Sequence, residues 1–183
     1  MSSARLFVAL ELPAAERAVL ARWGRAACAA DPALRPVAEE ALHVTLHFLG
    51  ERPEADIPAL VGVIAGVPGT AIRLTGTGAL WLSPRRPHVL TLGLESGGGA
   101  LTALHGVLGP ALEAATPGWS PDRRPLRPHI TLARGRERPR PAAAPAAPAL
   151  SCAAPAVVLM RSRLSPAGAV YEPLGRRSLH GDA

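Results

Sequence analysis

Two short runs carry residue types suited to proton transfer: His43-Val44-Thr45-Leu46 and, 86 residues later, His129-Ile130-Thr131-Leu132. Each is a His-x-Thr-x unit inside an apolar, β-favouring stretch, Leu42 to Leu49 and Ile130 to Ala133. Successive side chains of a strand point to opposite faces. His and Thr of each unit therefore share one face, while Val44/Leu46 or Ile130/Leu132 take the other. Two such strands side by side aim two imidazoles and two hydroxyls into one space. That is an acid, a base and two hydrogen-bond donors, the set that cleaves a phosphodiester without a metal.

The surrounding sequence repeats as well. Arg5 to Leu12 reads as a strand ended by Pro13, which also opens a helix from Ala14 to Ala30 with Val19, Leu20, Trp23 and Ala27 at helical spacing. A polar connection from Asp31 to Glu40 leads to the first His-x-Thr strand, closed by Gly50. A helix over 54–65 and β structure over 70–82 follow, then a turn at Ser83 to Pro87. His88 to Leu94 (HVLTLGL) matches Leu6 to Leu12 (LFVALEL), and a helix over 100–115 precedes the second reactive strand. From Phe7 to His43 is 36 residues, and from the loosely equivalent Val89 to His129 is 40. Strand, helix, loop and reactive strand thus occur twice, which predicts two pseudo-symmetric lobes with a cleft between them.

Downstream, five prolines between 139 and 155 forbid a long helix. Val157 to Leu164 and Ala169 to Leu174 read as two closing strands joined by the turn Ser165 to Gly168. From Arg176 the polar tail is expected to fray. The expected class is α+β: one domain over 1–183, bilobal, each lobe an antiparallel-rich sheet with helices outside.

Composition narrows the functional classes. All 20 basic residues are Arg, and against 14 acids they give a net charge of +6, a field that concentrates polyanions. Aromatics are 3% of the chain, too few for an extended base-stacking surface along single-stranded RNA. No apolar stretch approaches the ~18 residues of a membrane span. The N-terminal run reads as a first strand, not a signal peptide. Cys28 and Cys152 lack metal or redox spacing and are expected as free thiols in a reducing cytoplasm.

A 2′,3′-cyclic phosphate at an RNA end needs three things to be hydrolysed. Water loses a proton as it attacks phosphorus, a ribose oxygen gains one as it leaves, and the non-bridging oxygens gather charge. Two histidines supply base and acid near neutral pH, and the Thr hydroxyls donate to the equatorial oxygens. Symmetry alone does not say which His is which.

The stretches LFVALELP (6–13), LHVTLHFLG (42–50), RPHITLARG (127–135) and LMRSRLSPAGAVYEPL (159–174) resemble the two-histidine phosphoesterase superfamily. The resemblance is specifically to the bacterial and archaeal RNA 2′,3′-cyclic phosphodiesterases, also known as 2′-5′ RNA ligases. It implies opening of the cyclic phosphate to a 2′-phosphomonoester with no metal and no cofactor. His43 would be the proton donor to the leaving 3′ oxygen, His129 the acceptor from water, and Thr45 and Thr131 the phosphate holders. Arg134 sits where the family often has a phosphate-contacting Arg. The expected partner is an RNA end or nucleotide bearing the cyclic phosphate, bound by a monomer. Reversible 2′-5′ ligation is the first alternative, with a ribose hydroxyl replacing water; a non-catalytic RNA- or nucleotide-binding module is the second.

Other residues carry weaker expectations. Counted by twos, His47 joins His43 and Thr45 on one face, which allows a trihistidine zinc set with His129 or, by preference, a ribose or phosphate contact. The second unit has Ala133 in its place. Arg134, five after His129, reaches the site only where the strand ends or bulges. Arg127, Arg161 and Arg163 could line the cleft, and Phe7 or Tyr171 could stack on a base. His88, His105 and His180 are expected to be incidental.

Overall fold

A computed structural model describes residues 2–29, 31–82, 88–135, 146–165 and 168–180. The first lobe is built from β1 (Ser3–Leu10), β3 (Val44–Pro53), β8 (Ala156–Ser165) and β9 (Gly168–Ser178). The second contains β4 (Ile72–Leu82), β5 (Val89–Glu95), β6 (His129–Gly135) and β7 (Ser151–Ala154). The strand order is β7-β4-β5-β6-β3-β1-β8-β9, antiparallel throughout, with the short β2 (Leu34–Pro36) added on β6. The half-sheets meet at one rung, Val44 opposite Ile130.

Three helices cover one face: α1 (Ala14–Ala29), α2 (Ile57–Ala65) and α3 (Ala100–Ala115). Each exists because its apolar residues recur at helical spacing. Leu20 and Ala21 of α1, Leu60 and Ile64 of α2, and Leu101, Leu108 and Leu112 of α3 are buried with Val44, Leu46, Ile130 and Leu132. The helices are exchanged between lobes. α1 follows β1 yet packs on β6, where Gly24 leaves room for the Leu132 carbonyl; a Cβ there would lie 3.1 Å from that oxygen. α3 follows β5 yet packs on β3, with Gly109 against the His47 ring.

Several expectations need correction. β3 is not closed by Gly50; it runs to Pro53, because Gly50 takes φ 71° and absorbs a bulge in which Leu49 has no partner on β1. The connection 31–40 contains β2 and leads into a 3-10 turn, Glu39–Ala41. The tail from Arg176 does not fray at once. β9 continues to Ser178, Arg176 pairs with Glu11 at 3.0 Å, Arg177 donates to the Val67 carbonyl, and Leu179 is buried. The turn expected at Ser83 to Pro87 lies outside the described residues, as does most of the Pro/Ala-rich segment before Ala146.

Candidate active site

The single rung between lobes passes through the middle residue of each reactive unit, Val44 of His-Val-Thr and Ile130 of His-Ile-Thr. Continued one step either way, an antiparallel register sets His43 across from Thr131 and Thr45 across from His129. The two histidines are then diagonal neighbours on one face, a relation in which Cα atoms stand ~7–8 Å apart. A local two-fold axis relates the units, and the rungs beside them agree. Leu10 faces Val44 as Leu92 faces Ile130, Ala9 faces Thr45 as Thr91 faces Thr131, and Phe7 faces Phe48 as Val89 faces Arg134.

Both units carry the same bulge. Leu46 has no partner on β1 and Leu132 none on β5, so the alternation of faces inverts after each. His47 and Ala133 turn inward; Phe48 and Arg134 return to the face of the histidines. This corrects the reading of His47. Its ring is 4% exposed, its Nε2–H donates to the His105 carbonyl at 3.0 Å, and it stacks on the His105 ring at 4.1 Å. From there it does not share the face of His43, and among the described residues no three His, Cys, Asp or Glu side chains cluster as a metal set. For Arg134 the bulge supplies the condition that the sequence left open. Its charge is felt at His43.

The histidines are held alike. Nδ1 of His43 bonds the Ala41 carbonyl at 2.8 Å, and Nδ1 of His129 bonds the Arg127 carbonyl at 2.7 Å. A carbonyl accepts only, so each Nδ1 carries a proton and each Nε2 is left as the nitrogen free of the backbone. Nε2 of His43 meets Thr45 Oγ1 at 3.0 Å and accepts its hydrogen when neutral. Burial lowers the His43 pKa from 6.5 to about 4; the Ala41 carbonyl opposes this, and the Arg134 and His129 charges add to it.

An aromatic group completes the first lobe's side. Phe7 packs on His43 with ring centroids 4.9 Å apart, Tyr171 stands edge-on to His43 at 5.2 Å, and Phe48 lies 6.4 Å from Phe7. Phe7 is buried yet belongs to neither apolar core cluster, so its cover is this group. Phe48 is 70% exposed, an open aromatic surface next to Phe7, the ring packed on His43, and sequence reasoning missed it. The Trp119 indole N–H fixes its backbone by donating to the Phe48 carbonyl at 3.0 Å. The legible signal was the matched pair His-x-Thr-x-x-Phe and His-x-Thr-x-x-Arg.

The remaining expected residues disperse. Arg161 is across from buried Leu6, opposite in face to Phe7, and pairs with Glu54 at 3.0 Å and Glu172 at 3.7 Å. Arg163 pairs with Glu172 at 3.0 Å. Arg127 is exposed and serves through its carbonyl. His105 packs on His47, His180 bridges to Thr70, and His88 precedes β5 with its carbonyl bound by the Gly135 N–H. Cys28 and Cys152 are free. Among the described residues, no helix is long and apolar enough to cross a membrane.

Residues 13–165 match the model of the 2′-5′ RNA ligase superfamily. The chain belongs to this family. It is 35% identical to the RNA 2′,3′-cyclic phosphodiesterase of Thermus thermophilus, over 97% of this chain and 91% of that one. It is 38% identical to the Escherichia coli protein of the same name, over 71% of each. The crystal structure of E. coli LigT in apo form superposes with a TM-score of 0.82 at 29% identity, covering 98% of this chain and 99% of that one. E. coli LigT is also solved in complex with 3′-AMP, with a TM-score of 0.81. The superfamily member thus carries its two His-x-Thr units on the strands that join its lobes.

Proposed function

We propose that the protein hydrolyses RNA 2′,3′-cyclic phosphate ends to 2′-phosphomonoesters without a metal, using His43 and His129. The observation that carries this reading is the rung at Val44 and Ile130, with both Nδ1 atoms tied to backbone carbonyls. Two Nε2 atoms related by a local two-fold axis approach one phosphorus from opposite sides, as in-line displacement requires.

In this mechanism water approaches phosphorus and passes its proton to Nε2 of His129. The P–O3′ bond breaks, and Nε2 of His43 donates a proton to the leaving ribose oxygen. Thr45, Thr131 and the Arg134 guanidinium hold the non-bridging oxygens as their charge grows. The exposed ring of Phe48 offers a surface for the terminal nucleobase. In the free protein His43 is neutral at pH 7, with its pKa at about 4. Its donor role therefore depends on the bound phosphate anion, whose charge favours the imidazolium and offsets the Arg134 charge.

Both reactive units lie on one chain, and the site needs no second copy, which supports a monomer. Reversible 2′-5′ ligation uses the same atoms with a ribose hydroxyl in place of water; the names of the curated relatives favour hydrolysis. The test is turnover of a nucleoside 2′,3′-cyclic phosphate in EDTA. Formation of the 2′-phosphomonoester by the natural protein, and its loss in His43→Ala and His129→Ala, is expected. Absence of turnover, or turnover that survives both substitutions, contradicts the proposal.

A further inference from the structure

β2 breaks the symmetry between the lobes. On β3 the edge at Phe48 is closed by the Trp119 side chain. On β6 the corresponding edge is closed by backbone: Leu34, Arg35 and Pro36 pair with Gly135, Arg134 and Ala133, and the Val37 N–H donates to the Leu132 carbonyl at 2.9 Å. This short strand buries one apolar residue, Leu34, and holds Arg35 directly opposite Arg134.

Directly opposed residues of an antiparallel pair share a face. Arg35 therefore stands beside Arg134 on the face of the reactive histidines. Both are exposed, and neither guanidinium makes a hydrogen bond or ion pair with a described residue. Like charges set opposite each other on neighbouring strands repel. Arg22, Arg25 and Arg73 are also exposed without a partner among the described residues, but none of them stands opposite a second Arg on a neighbouring strand. Glu54 and Glu172 hold Arg161, Glu11 holds Arg176, and Asp122 holds Arg124. At Arg35 and Arg134 no described acid does so, and the missing counter-charge is one that a polyanionic ligand supplies.

We propose that Arg35 is a second phosphate-binding residue, which takes the phosphodiester next to the reacting end while Arg134 holds the cyclic phosphate. The site is thereby built for a strand of RNA in preference to a mononucleotide. This rests on the cyclic-phosphate reading of the site and adds a subsite to it. A guanidinium fork matches a phosphodiester's two free oxygens, and β2 presents that fork on bonded backbone. Recognition is of charge and carries no base preference.

Two measurements test it. The first is the ratio of kcat/KM for a dinucleotide ending in 2′,3′-cyclic phosphate to that for the nucleoside 2′,3′-cyclic phosphate. Arg35→Gln is expected to lower this ratio about tenfold, the order of one charge-assisted contact. A methylphosphonate in the dinucleotide linkage should lower it equally in the natural protein and have no further effect in the variant. The second is binding of a short oligoribonucleotide ending in a 2′-phosphate across a salt series. Loss of one phosphate contact should reduce the log–log slope by ~0.7 in Arg35→Gln, and Arg35→Lys should restore it. A ratio and a slope both equal to those of the natural protein overturn the assignment, as does an equal loss on both substrates. Should the natural protein turn over neither substrate, the hydrolytic reading fails, and the salt slope alone decides the role of Arg35.

Discussion

Val44 lies directly opposite Ile130, and this single backbone pair both joins the half-sheets and centres the two reactive units on a local two-fold axis. Its side chains enter the apolar core, so the flanking His and Thr of each unit face the other way. Packing and the placement of these His and Thr residues are thus set by the same rung.

Loss of either imidazole should cost about 10²–10⁴-fold in kcat, the worth of one general acid or base. His43→Asn and His129→Asn should each show this with little change in unfolding midpoint. The double variant should fall well short of the product of the two losses, since both act in one transition state. Multiplicative losses would mean that the histidines work independently.

The pH dependence should differ between free enzyme and complex. An acid must be protonated to act, so the proposed donor, His43, contributes a factor that falls as pH rises through its pKa. Its pKa is about 4 in the free protein. A bound phosphate raises it, so the limb that this pKa governs should lie at higher pH in kcat than in kcat/KM. Coincident limbs would argue against His43 as the donor.

Stability should follow the same residue. A folded-state pKa below the unfolded value means that the unfolded chain binds the proton first. Stability is fully present above pH 6.5 and is lost as pH falls toward 4, by ~2–3 kcal/mol from His43. His47 and His105 are both lowered by burial and act in the same direction. Denaturant midpoints at pH 7 and pH 4.5 measure the slope, and His43→Asn should flatten part of it.

Phe48 and Trp119 should govern the nucleobase. Phe48→Leu should raise KM by ~10–100-fold for a nucleoside cyclic phosphate, the worth of one stacked base. Trp119→Phe, which removes the N–H donor to the Phe48 carbonyl, should raise it ~2–10-fold. A ribose cyclic phosphate without a base should be much less affected by either. Equal losses on both substrates would point to general damage to the fold.

Close packing at the second bulge is open to a stability test. Gly24→Val places atoms against the Leu132 carbonyl, where an added Cβ alone would stand at 3.1 Å. The expected cost is ~1–3 kcal/mol in urea unfolding, with slower turnover because His129 is on the displaced strand.

Much of this was legible in the residues. The paired His-x-Thr units, the match of LFVALEL to HVLTLGL and the three helices follow from periodicity, and the structure places Phe7 and Val89 at equivalent rungs. The bulges were not legible. Leu46-His47 and Leu132-Ala133 read as plain alternation, and only the tertiary pull of both residues toward the helices inverts the face. That inversion turned His47 into the interior and brought Phe48 to the face of His43 and Thr45. β2 escaped notice because Leu34-Arg35-Pro36 ends in a residue that cannot donate, and its pairing depends on a strand almost 100 residues later. The tail escaped because Leu179 alone signals the burial that anchors it.

The most direct measurement is phosphorus NMR of an oligoribonucleotide ending in a 2′,3′-cyclic phosphate, incubated with the protein in EDTA. The account predicts that the cyclic resonance gives way to a single 2′-phosphomonoester resonance, with conversion ~10²–10⁴-fold slower by His43→Ala or His129→Ala. A persistent cyclic resonance, or a 3′-phosphomonoester product, would contradict it.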